Sequence, residues 1–167
     1  MAQTVDVVEF NLGGELYALD IQLAREIVEM MPITTIPRAP PYLSGIINLR
    51  GEITTILDLA NMLGMGRKEA TESQKIIVLM SEVAGGMNVG VIVDEVHSVI
   101  QVPEADIEKL GEGITSDISR FVKGIIKISP EGGDKNAATD KKSEGKKDLV
   151  IWIDMLKVMK DLVNVKN

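Results

Sequence analysis

The chain has 167 residues, 45% of them hydrophobic and 3% aromatic, a formal net charge of -7 and no cysteine. That length suits one compact domain or two small ones tightly joined, and its hydrophobic content argues against global disorder. The acidic balance argues against nucleic-acid binding, which needs a basic face. The missing cysteines exclude disulfides, thiolate nucleophiles and Cys-ligated metals, and fit a reducing compartment. With so few aromatics the core must be aliphatic, built from Val, Ile, Leu and the nine Met.

The first ten residues, MAQTVDVVEF, lack the basic stretch and apolar run of a signal peptide. No apolar run approaches the roughly 20 residues of a membrane span, so we expect a cytoplasmic domain. Val8, Phe10 and Leu12 alternate with polar residues, the period of a half-buried strand. Gly13-Gly14 signals a hairpin, with Tyr17 to Ile21 as its return strand. Asp20 through Ala24 is compatible with one helical turn, and Glu26 to Met31 reads as a strand. Pro37, Pro40 and Pro41 hold the next stretch extended. Ile46, Ile47 and Leu49 form a strand, Arg50-Gly51 a turn with Gly51 at positive φ, and Ile53 to Leu57 the β-branched return. Asp58 is placed to cap a short helix carrying Leu59, Met62 and Leu63 on one face, with Gly64 as its left-handed end. Arg67 to Gln74 reads as a polar linker.

The pattern then begins again. Ile76 to Met80 is a continuous apolar strand, Gly85-Gly86 a second hairpin and Val89 to Val93 its return. A further strand runs through Val96, Val99, Ile100 and Val102 to Pro103. Phe121 to Ile128 and Asp148 to Ile153 are strands, and Asp154 caps a helix with an apolar stripe of Met155, Leu156, Met159, Leu162 and Val163. Leu43 to Ile47 matches Val122 to Ile126, and Ile56 to Leu59 matches Trp152 to Met155, so the chain is an internal repeat. Its halves are approximately 5–66 and 74–165 within a single domain spanning 1–167. Short strands in each half point to small barrels, which hide their edges by closure, with a groove where the two meet. Glu131 to Asp148 holds five lysines and five carboxylates and reads as a mobile loop between paired strands.

No enzyme chemistry emerges. Asp58 and Asp154 stand directly before helices, where capping is the ordinary role of an aspartate. His97 has no cysteine or second histidine near it for a metal site. The glycine pairs lack the Lys-Ser/Thr of a phosphate loop, and no serine has a visible triad partner apart from His97. We expect no catalytic residue, no metal and no cofactor. Glu26 and Arg50 either form an exposed ion pair, if their strands are neighbours, or stand as two separate surface charges. Such a pair would contribute only about 0–1 kcal/mol to stability, which suits recognition better than folding.

Phe10 to Ile21, Arg25 to Ile27, Ile36 to Gly51, Ile56 to Leu59 and Val91 to Val96 together resemble the CheW family of chemotaxis coupling proteins. Gly-Ile-Ile-Asn-Leu-Arg-Gly with the downstream Asp-Leu is the most specific element of that resemblance. It implies an all-β fold with short helices: two SH3-like five-stranded barrels packed side by side, a short helix after each half. It implies a non-enzymatic adaptor joining the cytoplasmic tips of methyl-accepting chemoreceptors to the CheA histidine kinase, whose regulatory domain shares the fold. Carried over by motif position, the binding surface includes Ala24, Glu26, Gly45, Asn48 and Arg50. Gly45 stands where a larger side chain would obstruct the partner. Val93, Val96 and Val99 stand for a kinase-facing side in the second barrel. The long 131–148 loop departs from the family's usually short connection.

Overall fold

The fold is read from a computed structural model, in which residues 3–64, 73–109, 121–128 and 148–165 are described. In chain order these are β1 (Thr4–Leu12), β2 (Glu15–Asp20), β3 (Ala24–Glu29), β4 (Leu43–Leu49), β5 (Glu52–Asp58) and α1 (Leu59–Met62). Then come β6 (Lys75–Leu79), β7 (Val89–Val93), β8 (Glu95–Pro103), β9 (Ile107–Glu108), β10 (Val122–Ile128), β11 (Asp148–Ile153) and α2 (Met155–Val165). The ambiguous turn after Asp20 is a single 3-10 turn, Ile21–Leu23. The expected loop lies outside the described residues, apart from Asp148 at the start of β11.

The strands form two sheets, ordered β3-β6-β7-β5-β4 and β8-β1-β2-β11-β10-β9. We call the first the central barrel and the second the terminal barrel, since the second joins both ends of the chain. Neither barrel coincides with a sequence half. The opening hairpin of each half pairs with the later strands of the other: β2 runs parallel to β11, and β5 parallel to β7. The terminal barrel has six strands rather than the expected five, because its closing segment is long enough to count as β9. The matching segment in the central barrel makes only one bridge, Thr34 with Ile46.

That closing segment explains the repeat. After β3 the chain crosses the open end of its sheet, and Thr34 exchanges two backbone hydrogen bonds of 2.9 Å with Ile46 on the far edge. After β8 the chain does the same through β9, which pairs with Ile125 and Ile126 of β10. Both receiving strands carry a β-bulge, between Leu43 and Gly45 and between Val122 and Gly124. The glycines follow from the crossing. A Cβ on Gly45 would lie 2.2 Å from the Thr34 carbonyl oxygen, and one on Gly124 3.0 Å from that of Glu108. The equivalence continues after the strands. The Asp58 amide donates to the Tyr42 carbonyl and the Asp154 amide to that of Phe121, both at 2.7 Å. Each aspartate side chain then accepts an amide at the start of its helix, from Asn61 and Lys157.

Alternation along the strands divides the apolar residues between cores. Val7, Ala18, Val102, Ile126 and Val150 fill the terminal barrel, and Ile47, Leu49, Ile56, Ile76, Val78 and Ile92 fill the central one. Phe10, Tyr17, Leu19, Leu57, Ile77, Val91, Met155 and Met159 belong to a third cluster shared by both sheets and the helices. These buried side chains pack the two barrels against each other. Helix α2 contributes Met155, Val158 and Met159, while Leu156 is 47% exposed, contrary to its place in the expected stripe. It lies about 100° round the helix from Met155. Gly85 ends a 3-10 turn, Ser81–Ala84, rather than a tight two-residue hairpin. The corner between β7 and β8 is fastened to the first hairpin, because Asp94 accepts from the Gly13 amide at 2.8 Å.

Two outcomes follow. Gly45, at φ +146 and against the Thr34 carbonyl, cannot take a side chain, whereas Gly51, at φ +89, faces open space. Gly51→Ala should cost about 1 kcal/mol, the left-handed penalty alone, and Gly45→Ala about 3 kcal/mol or more; urea unfolding compares them. The Tyr17 ring stacks on Phe10 at 6.2 Å between centroids. Burial, and secondarily the Glu15 carboxylate, push its phenol above the ordinary value. A raised folded pKa means full stability below the unfolded pKa of about 10 and loss as pH rises beyond it. Tyr17→Phe should therefore lose less stability than the parent between neutral pH and pH about 11, measured by urea midpoints.

Candidate functional site

The β4–β5 hairpin is the most sharply built feature outside the cores. Leu49 pairs with Glu52, so Arg50 and Gly51 alone form the turn. Both have positive φ, +52 and +89, as a type I′ hairpin turn requires. A glycine in the second position is ordinary. An arginine in the first carries a left-handed penalty of roughly 1–2 kcal/mol. Asn48 holds the turn by accepting the Gly51 amide at 2.8 Å through its side-chain oxygen. The asparagine and glycine of the motif are thus spent on geometry, and the arginine side chain is what the turn displays.

The Arg50 guanidinium donates to the Glu26 carboxylate on β3. Although β3 and β4 are opposite edges of the sheet, barrel closure makes them neighbours. Of the two arrangements left open by the sequence, the ion pair is the one present. It belongs to a small network: Arg25 lies 3.8 Å from Glu26 and 3.7 Å from Glu52. The Arg50 side chain is 62% exposed, so solvent screens the pair and its contribution to stability stays small.

Beside the charged tip lies an apolar depression of about 340 Å³ lined by Met31, Pro32, Thr34, Ile46, Ile47, Asn48 and Ile53. Strand β5 is inverted there: Thr54 is buried at 1% and Ile53 is exposed at 61%. The Thr54 hydroxyl donates to the Glu52 carbonyl, which offsets its burial. Ile53 thereby adds apolar surface to the rim of the depression. Sequence reading missed Met31 and Ile53. The adjacent Ile53 and Thr54 are both β-branched, and alternation alone does not say which of them faces out.

The other expected positions fare differently. Ala24 begins β3 and packs half-buried against the shared core. Gly45 is buried beneath Thr34, so its smallness serves barrel closure. Val93 is wholly buried at the end of β7, in the central barrel. It is thereby removed from the expected contact surface and from the barrel in which it was expected. Val96 is half-buried against Phe10, and Val99, opposite Val8, is 55% exposed on the terminal barrel. The structure brings Glu26, Asn48 and Arg50 together and leaves Val99 on the other barrel.

Asp58 and Asp154 cap separate helices, and His97 is exposed on β8. Among the described residues no three His, Cys, Asp or Glu side chains are grouped to hold a metal. A second polar cluster, on the terminal barrel, satisfies itself. Asp20 accepts from the Trp152 indole at 2.6 Å and from Lys123 at 3.1 Å, and the Lys123 ammonium sits 4.5 Å above the Trp152 ring. No helix among the described residues is long and apolar enough to cross a membrane.

A family model described as a CheW-like domain matches residues 6–163. The chain is 33% identical over 140 residues to the chemotaxis protein CheW of Bacillus subtilis, covering 82% of this chain and 88% of that protein. It is 35% identical over 124 residues to a probable chemotaxis protein CheW of Rhizobium etli, covering 74% and 77%. The crystal structure of the scaffolding protein TtCheW from Thermoanaerobacter tengcongensis superposes with a TM-score of 0.70 at 33% identity, over 90% of this chain and 89% of that one.

The hairpin makes its own prediction. Arg50→Gly removes the ion pair, worth about 0–1 kcal/mol, and the left-handed penalty with it. Unfolding free energy should stay within about 1 kcal/mol of the parent. A loss above about 2 kcal/mol in urea titrations would show that the tip holds the barrel together.

Proposed function

The chain belongs to the CheW-like domain family of chemotaxis scaffolding proteins, and on that ground we propose that it joins the cytoplasmic tips of methyl-accepting chemoreceptors to the regulatory domain of the CheA histidine kinase. It acts in the cytoplasm, by binding, with no chemistry and no cofactor of its own. The observation that carries this reading is the pairing of an exposed Ile53 with a buried Thr54 beside the Arg50 tip. An apolar patch next to an arginine-bearing turn fits an interface centre, where arginine is enriched among the few residues that carry most of the binding energy.

Glu26, Asn48 and Arg50 then divide the work. Asn48 fixes the turn, Glu26 orients the guanidinium, and Arg50 meets the partner. Orientation by Glu26 lowers the entropy that a long side chain loses on binding. The depression lined by Met31, Ile46 and Ile53 accepts an apolar side chain from the partner. Met31 is the adaptable wall, since an unbranched thioether fills irregular space. Val99, exposed on the terminal barrel, belongs to a second contact, so that one rigid body can hold two proteins at once. An adaptor of this kind biases the kinase only by binding one arrangement of the assembly better than another.

Arg50→Glu and Ile53→Asp should leave the fold intact and each weaken binding to a CheA regulatory domain or a receptor-tip fragment at least about tenfold, or 1.4 kcal/mol. Isothermal titration with circular dichroism as the folding control measures this. Parent-like affinity in both variants would remove this face from the proposal. Gly45 variants are unsuitable probes, since they act on barrel closure.

A further inference from the structure

Among the described residues two non-glycine residues have positive φ, Arg38 at +64 and Arg50 at +52. The coupling role uses Arg50 and leaves Arg38 unexplained. Arg38 follows Pro37 in a tight turn closed by the Ala39 amide, which donates to the Ile36 carbonyl at 3.2 Å. Proline followed by a left-handed residue is the pattern of a type II turn, whose second central position ordinarily takes glycine or asparagine. An arginine there carries the steric penalty of the left-handed region. No contact of its side chain offsets this. Arg25, Arg50, Lys75, Lys123 and Lys127 each stand beside a carboxylate, whereas Arg38 is exposed and has none among the described residues. Backbone strain of this kind clusters at functional positions.

The topology sets Arg38 on the face already described. Thr34 bridges Ile46 in the antiparallel sense, so the closing segment runs along β4 from Met31, at the Arg50 end, to Ile36, at the other. Alternation puts Ile36 on the same side as Thr34, and it is 38% exposed. Ile53, Ile46 and Ile36 therefore make one apolar strip on the outer face of the central barrel. Arg50 stands beyond one end of the strip and Arg38 beyond the other, separated by the length of β4, roughly 20 Å. Pro37, Pro40 and Pro41 stiffen the far turn.

We propose that Arg38 is a second partner-binding residue, which takes a carboxylate from the protein segment lying along the Ile53–Ile46–Ile36 strip. That segment is an apolar stretch carrying an acidic residue at the end away from Arg50. A carboxylate suits the guanidinium because it accepts two parallel N–H donors, and the Arg38 fork is not engaged by a carboxylate of this chain. The inference rests on the reading of this face as the binding face, and adds to it the chemistry of the segment bound.

The test measures affinity of the full chain for a CheA regulatory domain and for a receptor-tip fragment by isothermal titration, with Arg38→Asn beside Arg50→Glu and Ile53→Asp. Asparagine tolerates the left-handed turn and removes the guanidinium, so the urea midpoint of Arg38→Asn should equal or exceed that of the parent. Its affinity for at least one of the two partners should fall about tenfold, as loss of a charge-assisted hydrogen bond requires. Parent-like affinity of Arg38→Asn for both partners overturns the inference; the reading of the face still stands if Arg50→Glu and Ile53→Asp bind weakly. A lowered urea midpoint also overturns it, by showing that the arginine serves the fold. Weak binding by Arg38→Asn with parent-like Arg50→Glu and Ile53→Asp overturns the strip as the path of the bound segment.

Discussion

Barrel closure rests on one close approach. Thr34 crosses the open end of its sheet and bonds Ile46 in both directions, and its carbonyl oxygen occupies the space a side chain on residue 45 would need. The bulge at Gly45 is therefore the condition for closure rather than a defect in the ladder. Closure in turn brings Glu26 beside the β4–β5 hairpin and lays Met31 and Thr34 along β4, forming the depression beneath Ile53. The terminal barrel repeats the device with Gly124, β9 and β10. The difference between a bridge and a short strand accounts for its sixth member.

The hairpin tip shows how strain, charge and exposure can be assigned to separate residues. Asn48 and Gly51 maintain the turn. Arg50 sits in a left-handed conformation at some energetic cost, which the surrounding ladder sustains. Its ion pair with Glu26 is too exposed to hold the barrel together, so the pair is better understood as aiming a guanidinium than as a strut. Ile53 and Thr54 add a second departure from folding economy, with the apolar residue outside and the hydroxyl inside. Both departures occur on one hairpin, next to one depression, and both make sense if another protein covers it.

The intertwined topology changes the meaning of the repeat. Two similar halves would ordinarily be two similar bodies. Here each half supplies a hairpin to the other, and the largest core lies between the sheets. The exchange of strands produces an interior shared by the two sheets. The two barrels are joined through this interior, and relative motion between them would open the core they share.

Local chemistry carried much of this far in the sequence. Alternation marked the strands, Arg50-Gly51 marked the tightest turn, and Asp58 and Asp154 marked the helix starts, because hydrophobic period, left-handed tolerance and amide capping act over a few residues. The motif around Gly45 and Arg50 identified the family. Only the tertiary structure decided which strand completed which barrel, since pairing β2 with β11 or β5 with β7 depends on packing between residues far apart in the chain. It alone buried Val93, gave Gly45 to closure, and turned Ile53 rather than Thr54 to solvent. Adjacent β-branched residues satisfy a strand equally well in either phase, and the face that meets the core is chosen by the sheet that receives it.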